Sequence, residues 1–177
     1  GLLNSIRKND IDESHYTLLS EQTDIGYTDI EPTKLFTHNS DVDSMNLSRL
    51  RELDTEKALF KMESKGNKQH LVNLVKNCLS PEVLELRREA MVMCTKNNFE
   101  AGYVNGTLGR VIKFDHDDGY PVIETSDGRE IKMAPQSWSV MDDNKMLAEI
   151  TQVPLRLAWA ITVHKSQGMS LDAAEID

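Results

Sequence analysis

Cysteine is scarce in this chain. Cys78 and Cys94 are the only two in 177 residues, and neither has a second thiol or an imidazole at zinc-ligand spacing. That excludes a disulfide framework and a zinc finger, and it fits a reducing cytosolic or nuclear setting. Long apolar runs are missing too. No stretch approaches the length of a membrane span, and Gly1-Leu2-Leu3 does not open the basic-then-apolar pattern of a secretory signal. Internal repeats and low-complexity segments are absent. Basic residues are in deficit, 20 against 29 acidic, for a net charge of -9. At long range that balance opposes a polyanionic partner.

The deficit is uneven. Between Ile150 and Leu171 there is no Asp or Glu at all, although Arg156, His164 and Lys165 lie there. An acid-free strip in an acidic protein reads either as a buried element, the commoner cause, or as a surface that faces an anion. What is present is ordinary for a globular chain: 39% hydrophobic and 28% charged residues, enough to bury a core in one domain or one domain with a small insert. Both chain ends read as internal cuts.

Local signals predict an α/β fold. Leu2, Leu3 and Ile6 have helical spacing, and a second short helix fits His15–Leu19. Lys34–Thr37 reads as a strand after Pro32. Ser40 or Asp41 is placed to cap the next helix, with Val42, Met45, Leu47, Leu50 and Leu53 mostly on one face. Residues 61–70 read as a polar loop, and Leu71–Val75 as a helix or a strand. Met91–Thr95 is an apolar strand. Asn105-Gly106, Asp118-Gly119 and Asp127-Gly128 are hairpin-turn dipeptides. Between and after them lie four strand-length runs, Leu108–Phe114, Pro121–Thr125, Arg129–Met133 and Trp138–Met141. Strands at this spacing predict a small antiparallel barrel over residues 106–145, a unit that could be excised without unfolding the rest. Leu171–Ile176 starts a last strand.

The chemistry concentrates at Thr162-Val163-His164-Lys165-Ser166-Gln167-Gly168. Two hydroxyls, an imidazole, an ammonium, an amide and a glycine all suit phosphate or polar edges, and they follow an apolar run that begins at Pro154. Singly each has a bland explanation. His164 and Lys165 could be solvated surface groups, and Gly168 could end a helical turn. Trp159 could stack on a base, but an indole in an apolar run is more often core.

Together these residues resemble a family. Pro154 through Ile161, the heptad, and Met169-Ser170-Leu171-Asp172 look like motif V of superfamily 1B helicases, which include RecD, Dda and the mitochondrial petite-frequency helicases. Leu84-Glu85-Leu86 to Met91-Val92-Met93, Asn97-Asn98, and Val104 through Gly109 resemble that family's approach to its barrel insert. Thr33–Asn46 is similar to its motif IV region, and Leu2–Arg7 to the segment after motif III. Glu89 departs from the pattern, standing where the family usually has glycine.

The resemblance implies the second RecA-like motor domain, a parallel-sheet fragment over 1–105 and 146–177, with an SH3-like barrel inserted at 106–145. It implies a parent that uses ATP and Mg2+ to move 5′ to 3′ on single-stranded DNA. Thr162, His164 and Lys165 would contact the DNA backbone, with Thr37 and Asn46 as further candidates. Ser166, Gln167 and Gly168 would face the nucleotide. The chain has no glycine-rich loop ending in Lys-Ser or Lys-Thr, no strand-end carboxylate pair for magnesium, and no motif VI arginine. The implied partners are therefore single-stranded DNA and a separate ATP-binding motor domain, with no catalytic or metal residue here, no cofactor bound by this segment alone, and no membrane. Cytoplasm, nucleoid or nucleus would be its place. A conjugative relaxase's helicase half, an exonuclease V alpha subunit, and a stand-alone single-stranded-DNA or protein-docking module are the competing expectations.

Overall fold

The computed structural model describes residues 5, 8, 10, 12–21, 32–143, 145–167 and 174–176. The expected helix at Leu2, Leu3 and Ile6 lies outside them. The second expected helix is α1 (Glu13–Ser20).

A small parallel sheet carries the C-terminal motif. β1 (Thr33–Phe36) lies between β12 (Ala160–Thr162) and β13 (Ala174–Ile176), parallel to both. Lys34 pairs with Ala160 on one side and with Glu175 on the other. α2 (Asn39–Glu52) packs across β12. It starts one residue before the expected caps, with His38 at the N-cap position and no side-chain capping bond. Its buried stripe is Val42, Asn46 and Leu50, while Leu47 is 48% exposed. The apolar-face reading was off because an asparagine occupies a core position.

Residues 61–70 are not a loop. After β2 (Lys57–Lys61) comes β3 (Glu63–Gly66), and then α3 (Lys68–Asn77), which resolves the ambiguity at Leu71–Val75. β3 pairs only with β10 (Lys145–Gln152) and all its residues are exposed, so it shows no alternation to detect. α3 is capped by Asn67, whose side chain accepts from Gln69 N at 2.9 Å, the Asx cap that nucleates helices. Gly66 adopts φ +111°, and a Cβ there would stand 2.4 Å from the Leu147 carbonyl oxygen, so only glycine closes this crossing.

The hairpin strands fall near the expected positions: β6 (Leu108–Phe114), β7 (Pro121–Thr125), β8 (Glu130–Lys132) and β9 (Gln136–Asp142). Gly106, Gly119 and Gly128 all have positive φ, as their turns require. The sheet they build is not confined to 106–145. Its order is β11-β5-β6-β7-β8, so β5 (Met91–Cys94) and β11 (Leu155–Leu157) belong to it, while β9 pairs with β10 in a separate three-stranded sheet. β2 forms a ribbon with β4 (Val83–Arg87). One apolar cluster joins Leu50 of α2, Leu84 and Leu86 of β4, Met91 and Val92 of β5, Val111, Ile123, Ile131 and Met133 of the hairpins, and Trp159. The hairpin strands of the expected 106–145 unit thus share buried contacts with α2, β4 and β5.

Two details at the junction matter. The Glu89 N–H donates to Val111 O at 2.7 Å while Glu89 holds φ 73°, a left-handed conformation that costs a side-chain-bearing residue about 1–2 kcal/mol. The family's glycine is explained by that backbone. Ala158 is 1% exposed; its N–H donates to Met91 O at 3.0 Å and its carbonyl accepts from Thr33 Oγ1 at 2.8 Å. One peptide stretch is thus bonded to the antiparallel sheet through β5 and to the parallel sheet through β1.

Candidate nucleic-acid interface

The acid-free strip divides in two. From Ile150 to Thr162 it is almost wholly buried, and after Thr162 the chain emerges with Val163, His164 and Gln167 exposed and Lys165 and Ser166 half-buried. The burial reading therefore holds for its strands and the surface reading for its end. Trp159 is 5% exposed, so the core assignment was right, and the Arg49 guanidinium stands 6.0 Å from its ring centroid.

The turn is built locally. Thr162 ends β12 and caps the single turn α4 (Val163–Ser166), its side chain accepting from Lys165 N at 3.4 Å. Ser166 Oγ donates to Val163 O at 2.8 Å. Thr162 is 2% exposed, so its hydroxyl holds the turn rather than meeting solvent. Asn46 is also withdrawn. Its Nδ2 donates to Ala160 O at 2.9 Å and its Oδ1 accepts from Ala160 N at 3.0 Å. Among the described residues β12 is the edge of its sheet, and Ala160 turns both polar groups away from β1, so the Asn46 amide stands where a further strand would. Both side chains are buried and engaged with the chain's own backbone. Thr37, just past the end of β1, is exposed, and its hydroxyl shares a 2.8 Å hydrogen bond with His38 Nδ1. The structure thus brings Thr37, His38, His164 and Lys165 to the C-terminal ends of neighbouring parallel strands, where open α/β sheets place ligands. Gly168 lies outside the described residues.

Beside this turn opens a cleft of 620 Å³ between α2, the β2–β4 ribbon and the 78–82 segment, with Arg156 and Lys165 among its lining residues. Burial holds the Lys165 ammonium below its ordinary value, as does nearby Arg156, while Asp43 acts the other way. Burial likewise lowers the pKa of Arg156, again opposed by Asp43. The motif reading missed Arg156 because a lone arginine in an apolar run carries no pattern; its one signal was membership of the acid-free strip.

Ser166 donates its hydroxyl to Val163 O, Gln167 is exposed, and no cluster of three or more His, Cys, Asp or Glu that could hold a metal occurs among the described residues. No helix among the described residues is long and apolar enough to cross a membrane.

This chain's homologues are superfamily 1B DNA helicases. Among the three groups of the resemblance they fall in one: the relatives are Pif1 helicases. ATP-dependent DNA helicase Pif1 of Psychrobacter sp. is 33% identical over 84% of this chain, and human PIF1 is 36% identical over 86%. The chain spans 30% and 24% of those proteins' lengths. The crystal structure of Bacteroides sp Pif1 in complex with ADP-AlF4 matches 99% of the chain and 41% of its own, with TM-score 0.81 and 32% identity. Bacteroides Pif1 bound to ssDNA matches the same share with TM-score 0.63. No family profile matches the chain.

Proposed function

We propose that this chain is the C-terminal portion of an ATP-dependent DNA helicase that translocates 5′ to 3′ on single-stranded DNA, contributing the second RecA-like domain and an SH3-like module to the motor. The observation that carries this reading is the α4 turn, which presents His164 and Lys165 at the end of β12 in a chain homologous to Pif1 helicases. His164, Lys165 and Thr37 contact backbone phosphates, and Thr162 and Asn46 fix the surface they stand on. Such contacts position a strand without reading its sequence. Ser166, Gln167 and Gly168 face a nucleotide held mainly by the other motor domain. ATP and Mg2+ supply the energy there, and closure of the cleft between domains alternates the grip on DNA. The helicase half of a relaxase, an exonuclease V alpha subunit and a stand-alone binding module are not favoured by the relatives.

The test is fluorescence anisotropy with labelled oligothymidine across a salt series. The net charge of -9 keeps affinity in the non-specific range, on the order of 10⁻⁴ to 10⁻⁶ M. Lys165→Ala should lower the slope of log affinity against log salt by about 0.7, one phosphate's worth on a single strand. Lys57→Ala, an exposed control on β2, should leave it alone. An unchanged slope in Lys165→Ala defeats the proposal.

A further inference from the structure

Arg156 is out of balance with its surroundings. It is 9% exposed, its Nε is buried without a hydrogen-bond partner, and no ion pair reaches it among the described residues. Buried guanidinium groups are ordinarily held by carboxylates or carbonyls, because an unpartnered buried charge costs several kcal/mol. It nevertheless sits on β11 between Leu155 and Leu157, where an apolar residue would continue the strand. It lines the cleft that Lys165 also lines.

The rest of the cleft limits what fits. Leu47 and Leu59 are half exposed on its walls, and Leu50, Leu84 and Leu157 line it further in. Three carboxylates are present as well. Glu85 is engaged by Arg87 at 3.4 Å, Glu82 belongs to the 78–82 segment, and Asp43 is the acid whose field reaches both Arg156 and Lys165. The Asn46 amide is already committed to Ala160. Among the described residues, the cleft therefore offers two cations with no acceptor bound to either side chain, and apolar walls next to them. An occupant needs a compact anionic group with an uncharged body attached.

We infer that Arg156, beside Lys165, forms an oxyanion subsite in this cleft that takes a backbone phosphate of single-stranded nucleic acid in addition to the one that Lys165 meets. The inference rests on the DNA reading for the source of the phosphate, but not for the subsite itself. A phosphate oxygen satisfies the guanidinium by charge-assisted hydrogen bonding, and the apolar walls receive the sugar or base that follows. Arg156 is then kept for its ligand at a cost to the empty protein.

That cost makes the test two-sided. In chloride buffer, Arg156→Met should melt above the parent, since it removes a largely buried guanidinium whose Nε has no partner and keeps the volume. Inorganic phosphate at matched ionic strength should raise the melting temperature of the parent chain more than that of Arg156→Met, with acetate giving no such difference. With oligothymidine, Arg156→Met should lower the salt slope by about 0.7, so a fourfold rise in salt weakens binding about 2.6-fold less than in the parent. Arg156→Lys should retain that slope. If Arg156→Met melts below the parent and binds with the parent's slope, the arginine is structural and the inference is overturned. Equal Arg156-dependent protection by acetate overturns it too, pointing to a carboxylate and an acidic peptide. An Arg156-dependent phosphate effect without oligothymidine binding upholds the subsite and sinks the DNA reading. A Lys165 slope effect without an Arg156 effect does the reverse.

Discussion

Replacing Asn46 by Ala separates a DNA contact from a structural clamp. In the fold, the side-chain amide makes two hydrogen bonds to the backbone of Ala160, at 2.9 and 3.0 Å, and both residues are buried. Truncation leaves the Ala160 N–H and C=O without partners at the edge of the parallel sheet. Each buried orphan costs about 1–3 kcal/mol. Alanine's better helix propensity at mid-α2 returns about 0.5 kcal/mol. The expected loss is therefore about 1.5–5.5 kcal/mol, a large part of the 5–15 kcal/mol typical of a domain. Urea unfolding followed by tryptophan fluorescence reads it, because Trp159 lies one residue from the clamp. With a slope of about 2 kcal/mol/M, the midpoint should fall by roughly 1–3 M and the slope should stay constant. Asn46→Asp should be no better, since it removes the donor to Ala160 O and buries a charge. A change under about 0.5 kcal/mol, the range of surface substitutions, together with weakened DNA binding would refute the clamp and restore the direct-contact expectation.

Three further outcomes follow from the same structure. Glu89→Gly should raise stability by roughly 0.5 kcal/mol, because relief of the left-handed strain exceeds the entropy that glycine adds to the unfolded chain, while Glu89→Val should lower it; thermal melts in the reverse order would disprove the strain argument. Replacing 106–145 by a Gly-Ser linker should abolish the cooperative transition, since it strips Leu108, Val111, Ile123, Ile131 and Met133 from the buried core, each worth about 1.5–3 kcal/mol. A retained sharp melt would mean the two parts have separate cores after all. The 177-residue chain should show no DNA-stimulated ATP hydrolysis, because it lacks a phosphate cradle; turnover lost on mutating Ser166 would contradict that.

Much of the fold was legible where local chemistry is decisive. The Asn-Gly and Asp-Gly turns located the hairpin strands because positive φ is demanded there and few residues supply it. The motif at Thr162–Gly168 located the site because polar groups gather abruptly after an apolar run. What escaped depends on partners distant in sequence. β3 lies at a sheet edge with every side chain in solvent, so its pairing with β10 leaves no periodicity. Asn46 in a helix stripe looks like a surface residue until Ala160, far along the chain, supplies its partner. The reach of the antiparallel sheet escaped for the same reason: Leu155–Leu157 joins it by pairing with Met91–Cys94, a contact that no turn signal announces.

Ala158 is bonded to both sheets. Its N–H is tied to Met91 and its carbonyl to Thr33, and it directly precedes Trp159 and β12. The antiparallel sheet and the parallel sheet are thus joined through one buried peptide stretch that runs directly into β12 and the turn at His164.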